Sequence, residues 1–253
     1  MSRLTDVGSF VIVLCDTSMT TSQRLRAFQR RLLNWYRVHQ RDLPWRKTRD
    51  PYKILVSEVM LQQTQVDRVL PKYHQFLKRY PTVESLAKAK TRELRRLWYP
   101  LGYNIRPLRL RQIAQRTVQE HDGQIPSTYD GLVAMDGIGR YTAGAVLSFA
   151  FEQDAAILDT NVARLLGRYF GVRGAEKKTG ASRRRLWQLA EAIIPPGRGY
   201  DINQAMMDFG AMVCTARAPQ CPTCALRRTC KSYPLDATRA TTTQTSARRR
   251  RRH

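Results

Sequence analysis

The sequence predicts an all-α protein. Three observations carry this. Apolar residues recur at spacings of three and four along most of the chain, β-type alternation between turn pairs is missing, and prolines and glycines cut the chain into helix-length pieces. The 253 residues suffice for one large domain or two small ones, and an apolar content of 42% is ordinary for a folded chain.

Residues 1–21 show no strong period and are expected to form a loose leader. Their apolar run Phe10–Cys15 is too short to span a bilayer, which takes about 20 residues, and no small-residue cleavage site follows it. From Ser22 onward, Leu25, Phe28, Leu32, Trp35 and Tyr36 form one apolar stripe with arginines opposite. Arg41–Pro51 reads as a loop, with Pro44 and Pro51 as breakers. A second helix is expected over about Tyr52–Val69, then shorter helices punctuated by Pro71, Pro81, Gly102, Gly123 and Pro126. Leu132–Ala143 reads helix, tight turn, helix, with Gly137 and Gly139 free to take positive φ and the second helix running through Ala150. The apolar Ala155–Leu158 leads into Asp159, placed to N-cap the following helix. After Pro234 almost no large apolar residue remains, so residues 235–253 are expected to be a disordered basic tail.

Charge narrows the class. Lys and Arg number 44 against 20 Asp and Glu, a formal net charge of +24. The excess is not confined to Arg248–Arg252, because Arg24, Arg26, Arg30, Arg31, Arg37, Arg41, Arg46, Lys47, Arg49 and Lys53 lie far from it. A polyanionic partner follows, with nucleic acid first. No stretch is long enough to cross a membrane, so the expected setting is cytosolic with no membrane partner.

In a reducing cytosol, clustered cysteines point to metal before disulfides. Cys214, Cys221, Cys224 and Cys230 have the spacing C-x6-C-x2-C-x5-C. Four thiolates can hold zinc or an iron–sulfur cluster, and spacing alone leaves both open. Zinc ribbons usually carry two C-x2-C pairs, whereas one occurs here. Pro219 and Pro222 keep the loop out of helix, and Arg217, Arg227, Arg228 and Lys231 give it a basic rim. A metal at the end of a domain reads as a staple rather than a reaction centre. Cys15 reads as a free thiol in the leader.

Two further places carry chemistry. The Gly137–Gly139 turn opens a helix whose N-terminal N–H groups suit phosphate, against the blander reading of an ordinary turn between packed helices. Glu58 is flanked by Leu55, Val59 and Leu61, and burial would raise its pKa toward that of a general acid; otherwise it is a solvated helix glutamate.

The hairpin, Asp159 twenty residues after Gly139, and the four-cysteine knot resemble the helix-hairpin-helix superfamily of DNA glycosylases, which includes endonuclease III. Within it the chain is most similar to the MutY-type adenine DNA glycosylases. The blocks that carry this are Leu43–Arg46, Asp50–Lys53, Ser57–Val66, Leu101–Tyr103, Gly137–Ala145, Leu158–Val162 and Asn203–Ala211, together spanning roughly Ser22–Pro234. Ser57–Gln65 is the most discriminating.

The resemblance implies a two-lobed helical fold with the target base flipped into the cleft. One lobe, 52–152, would be a six-helix barrel carrying the hairpin; the other, 22–51 with 153–234, would carry a [4Fe-4S] cluster on the four cysteines. Glu58 would protonate the departing adenine and then help activate water. Asp159 would stabilise positive charge at C1′, a division of labour known from glycoside hydrolysis. Asn161 would position the water or the carboxylate. Tyr141 stands where strand-cleaving relatives carry a Schiff-base lysine, so the enzyme would be monofunctional. Its remaining roles are a hydrogen bond to Asp159 or the sugar, or packing on the hairpin helix. Gln62, Gln63 and Tyr103 would wedge into the duplex or touch the opposite base. Trp45 and Arg46 would lie near the entering base, and Gly137, Gly139 and Arg140 would hold phosphate. The implied partner is double-stranded DNA with a mismatched or oxidised base pair, bound by a monomer in the cytoplasm, nucleoid-associated in a bacterium.

The chain departs from the pattern at Pro100, where glycine is usual, at Asn104, where a second aromatic is usual, and at Thr160, where glycine is usual. The domain that reads 8-oxoguanine is expected to be missing after the cysteines. Asn104 and that missing domain favour an alternative, a G/T or G/U mismatch thymine or uracil glycosylase of the same fold. A non-catalytic iron–sulfur DNA-binding protein is the third reading, and the Glu58–Asp159 pair speaks against it.

Overall fold

A computed structural model describes residues 19–177 and 179–234. The expected leader up to residue 18, Cys15 and the basic tail 235–253 lie outside the described residues. Among the described residues every regular element is helical. In order these are α1 (Thr21–His39), a 3-10 turn (Pro44–Arg46), α2 (Pro51–Leu61), α3 (Val66–Arg79), α4 (Val83–Ala87), α5 (Thr91–Trp98), α6 (Arg106–Glu120), α7 (Tyr129–Val133), α8 (Arg140–Ala150), α9 (Thr160–Phe170), α10 (Gly180–Ala192) and α11 (Gly199–Met212). Two more 3-10 turns, Cys221–Thr223 and Arg227–Thr229, end the fold. None of these helices is long and apolar enough to cross a membrane.

α1 begins inside the expected leader. Thr20 and Gln23 form a reciprocal capping box, which satisfies two N–H groups that would otherwise lack partners. Phe28, Leu32 and Tyr36 of its stripe are buried.

The single helix expected over Tyr52–Val69 is two helices, broken between Leu61 and Val66. Gln63 takes φ 55 there. The carbonyls of Val59, Met60 and Gln62 turn to the guanidinium of Arg106 instead of a next helical turn. Pro71, expected as a breaker, sits inside α3. Burial of Val69, Tyr73 and Phe76 along one face of that helix outweighs the one backbone bond a proline removes.

Two apolar cores result. One joins α2 to α8 around Val56, Phe76, Leu94, Trp98, Leu132 and Val146. The other joins α1 to α9–α11 around Phe28, Leu32, Leu166, Tyr169, Met206 and Phe209. A small third cluster, Ile54, Ala145, Phe149 and Ile157, has Tyr141, Tyr200 and Met207 packed against it and so draws on both sides. The chain thus contributes α1 to one core, leaves to build the other, and returns.

Candidate active site

Asp50 caps α2, its Oδ1 accepting from the backbone N–H of Tyr52 at 2.9 Å and Lys53 at 3.3 Å, with Pro51 preset for the first turn. From Ile54 to Met60 every residue of α2 is buried. Glu58 therefore has no solvated face to choose and is only 3% exposed.

α8 faces it. The turn before α8 uses Gly137 at φ 96, a value that disfavours any side chain. Gly139 was expected to share that role but sits at φ −95, an ordinary extended conformation, as the N-cap. Further along, a Cβ on Gly144 would collide with the carbonyl oxygen of Ala156. That glycine lets the segment leading to Asp159 lie directly against α8, which carries Tyr141.

Tyr141 Oη donates to Glu58 Oε2 at 2.9 Å. A bond from Tyr141 to Asp159, one of the roles open to it, is not formed; its hydroxyl goes to Glu58 instead. Asp159 caps α9, its Oδ1 accepting from the N–H of Val162 at 2.6 Å and its Oδ2 from Asn161 Nδ2 at 3.1 Å. Arg164 Nη2 donates to Asn161 Oδ1 at 2.8 Å, which fixes the Asn161 amide with its N–H toward Asp159.

The two carboxyls are both raised by burial but differ in what opposes it. Burial pushes Glu58 up, the Tyr141 hydrogen bond pulls it down, the nearby Asp159 charge raises it and the Arg46 charge lowers it, leaving it at about 7. Asp159 is also raised by burial, but the N–H of Val162, the Asn161 side chain and the Arg164 charge all oppose this. The positive end of the α9 dipole favours its anion as well. Glu58 is poised to hold a proton near neutrality, while the Asp159 carboxyl is surrounded by donors that favour its anion.

The side chains of Trp45 and Arg46, expected near the entering base, are both buried, and the Arg46 charge reaches Glu58. Trp45 is 7% exposed, edge-on to Tyr73 with ring centroids 5.3 Å apart, so its large apolar area belongs to the core. Arg46 grips Asp208 with both arms of its guanidinium, Nη1–Oδ2 2.8 Å and Nη2–Oδ1 2.7 Å. Arg41 Nε adds 2.6 Å to Oδ1. Burial would raise Asp208, yet the hydrogen bond and charge of Arg46 with the charge of Arg41 hold it below the usual value. A fully buried carboxylate requires such partners, which is why Arg46 turns inward.

The remaining expected contacts lie at the surface. Gln62 is half-buried, Gln63 exposed, and Tyr103 58% exposed. Gly137, Gly139 and Arg140 are exposed at the start of α8. Arg140 donates to Glu191 at 2.5 Å and stacks 3.9 Å from the Trp187 ring, so its guanidinium is engaged with α10.

The four cysteines line one hollow, walled by Leu165, Tyr169, Phe209, Val213 and Leu226. Among the described residues no three His, Cys, Asp or Glu side chains are grouped as a single ion requires. Around the hollow, Arg217, Arg228 and Lys231 are exposed and Arg227 is half-buried.

Three residues beyond the sequence reading shape the site. Asp208 anchors Arg46, and a lone acid between Met207 and Phe209 was a usable signal for it. Arg183 Nη2 donates to the Leu158 carbonyl at 2.7 Å and feels the charge of Asp159. Arg106, 4% exposed, binds the loops of Gln62 and Tyr103. No sequence signal distinguished either arginine in so basic a chain.

Residues 56–192 match the family described as "HhH-GPD superfamily base excision DNA repair protein". The adenine DNA glycosylase of Rattus norvegicus is 42% identical over 216 residues, which cover 82% of this chain. The chain spans only 42% of that relative's length. The thymine/uracil-DNA glycosylase of Methanothermobacter thermautotrophicus is 33% identical over 84% of this chain and 96% of its own. A solved thermostable thymine-DNA glycosylase superposes with a TM-score of 0.79 at 32% identity, covering 85% of this chain and 99% of that one.

Proposed function

The chain belongs to the HhH-GPD superfamily of base excision DNA repair proteins, and from that premise we propose that it hydrolyses the N-glycosidic bond of adenine mispaired with 8-oxoguanine or guanine. The observation that carries this reading is the buried Glu58, holding its proton up to about pH 7 beside Asp159. Adenine has basic ring nitrogens and leaves readily only when one is protonated. Thymine has no ring nitrogen free to take a proton, so a buried acid serves adenine better.

Glu58 donates its proton to a ring nitrogen of the flipped base. The bond from C1′ to the base then breaks with its electron pair leaving on adenine, and positive charge develops on the sugar. The Asp159 carboxylate, steadied by Val162 and Asn161, stabilises that charge. Water adds at C1′ and returns a proton to Glu58. The Tyr141 hydroxyl supports Glu58 while it is ionised between these events. Tyr141 has no amine to form a Schiff base, so the strand is left intact.

Gln62, Gln63 and Tyr103 fit the role of filling the stack behind the flipped base, and the start of α8 fits a phosphate. A formal charge of +24 supports strongly salt-dependent binding. Cys214, Cys221, Cys224 and Cys230 suit a [4Fe-4S] cluster, since the four thiols line one apolar hollow. Bound there, the cluster would supply a structural anchor between α9, α11 and the C-terminal turns, distant in sequence from Glu58 and Asp159.

A second reading, thymine or uracil removal from G mismatches, is favoured by the archaeal relative that aligns over nearly its whole length. Duplexes carrying A:8-oxoG, A:G, T:G or U:G separate the readings. The expected result is breakage of the adenine strand, and only after alkali. Thymine release with adenine left intact would establish the second reading, and no release from any duplex would leave a DNA-binding protein without this activity.

A further inference from the structure

We propose that Arg106 is a positioning residue that locks the two duplex-entering loops, Gln62–Gln65 and Leu101–Ile105, into one rigid wedge and couples that wedge to the helix bearing Glu58. The proposal rests on the base-excision reading above.

Arg106 opens α6 yet is only 4% exposed. Its Nη1 donates to the carbonyls of Val59 at 3.1 Å, Met60 at 2.9 Å and Gln62. Its Nη2 donates to the carbonyls of Leu101 at 3.0 Å and Gly102 at 3.1 Å, and to Thr64 Oγ1 at 3.1 Å. Every one of these acceptors is neutral. Burying a guanidinium without a carboxylate is costly, and a plain structural anchor could be built from apolar contacts. What the cation gains is the C-terminal end of α2, where carbonyls lack helical partners and the dipole is negative. The rings of Trp98 and Tyr103 flank it, their centroids 5.4 and 5.5 Å from Cζ.

Both loops hold a residue in the left-handed region, Gln63 at φ 55 and Tyr103 at φ 48. Such conformations are disfavoured for residues with side chains and persist only where the surroundings over-determine them. Arg106 supplies that constraint. Trp98 Nε1 donates to Gly102 O at 3.2 Å and Arg68 Nη2 to Pro100 O at 2.7 Å, which tie the second loop further. The result presents Gln63, Tyr103 and Ile105 outward together, Tyr103 and Ile105 being 58% and 52% exposed. Apolar and aromatic side chains of this kind unstack base steps when inserted. Glu58 precedes the first clamped carbonyl by one residue. One guanidinium therefore anchors both duplex-opening loops on the C-terminal end of α2.

The test compares wild type, Arg106→Lys and Arg106→Gln as full chains, in single-turnover adenine release from two duplexes. In one the adenine faces guanine; in the other it is a single-base bulge with no opposing base to displace. Arg106→Gln is expected to lose on the order of 10²-fold on the paired substrate, as small misplacements remote from the chemistry do, and less than about threefold on the bulge. Arg106→Lys, whose single amine cannot span both loops, falls between. Equal losses on both substrates would show a merely structural role, and undiminished release from the A:G duplex would overturn the proposal outright.

Thermal melts establish that the variants are folded. If neither is, Thr64→Val removes one contact and must show a loss confined to the paired substrate; activity equal to wild type there overturns the proposal. Should wild type release no adenine from either duplex, the excision reading has failed, and 2-aminopurine beside the mismatch still reads the wedge. Its fluorescence should rise on binding wild type and stay low with Arg106→Gln, whereas an equal rise counts against Arg106.

Discussion

Replacing Tyr141 by phenylalanine removes one hydroxyl and leaves the ring on the hairpin helix. That hydroxyl donates 2.9 Å to Glu58, and of the influences on Glu58 it is the largest that favours the ionised form. Hydrogen bonds to charged groups contribute about 1.5–3 kcal/mol, and about 1.4 kcal/mol corresponds to one pH unit. Glu58 should therefore move from about 7 upward by roughly one to two pH units. Because Glu58 acts as the protonated acid, activity falls as pH rises through its pKa. In Tyr141→Phe the alkaline limb of the pH profile should shift to higher pH by that amount. At pH 8 the protonated fraction would rise from about a tenth to about a half or more. The assay is kcat/KM for adenine release against pH, since that parameter reports the free enzyme. The plateau can fall if Tyr141 also touches the sugar, but the position of the limb is diagnostic. A limb that stays near pH 7, or moves to lower pH, would refute the reasoning.

Asp159→Asn keeps an N-cap residue of equal quality, so the melting temperature should change little, while loss of the charge should slow adenine release by about 10²-fold or more; a variant with near wild-type turnover would remove Asp159 from the chemistry. Glu58→Gln tests burial through stability. The folded Glu58 value of about 7 lies above the ordinary 4.5, so its contribution is full below about pH 4.5 and is lost as pH rises through about 7. Glutamine has no such dependence, and the variant should gain up to about 3 kcal/mol relative to wild type between pH 5 and pH 8. Thermal melts at both values would read this as several degrees, and a difference independent of pH would argue against a buried acid. Arg46→Met strips the two-armed partner from the fully buried Asp208 and should cost about 3 kcal/mol in urea unfolding, with Arg41 limiting the loss. A change within about 0.5 kcal/mol would mean the ion cluster does not hold the fold.

The parts of the fold written in local patterns were legible. The α1 stripe, the helix–turn–helix ending at Ala150 and the cap at Asp159 all depend on residues close in sequence, and each appears where spacing and turn chemistry put it. Misreadings occurred where distant residues decide. The segment through Val69 has no glycine or proline to mark the break after Leu61, only the polar Gln62–Gln65, and the group that takes its carbonyls, Arg106, arrives more than forty residues later. Trp45 and Arg46 follow a proline in a basic loop, where the sequence leaves core and surface placements equally open. Their true partners, Tyr73 and Asp208, lie on other elements. Glu58 shows both sides of this: its apolar neighbours announced burial, while its hydrogen bond to Tyr141 could come only from the packing of α2 on α8.

On the proposed mechanism Glu58 is the acid that expels adenine. The most direct test sets Glu58→Gln beside wild type on an A:8-oxoG duplex, measuring binding by gel shift and adenine release under single turnover. Wild type should release adenine, whereas the variant should bind with affinity within about threefold and release none over the same time. Appreciable adenine release by Glu58→Gln would contradict the account.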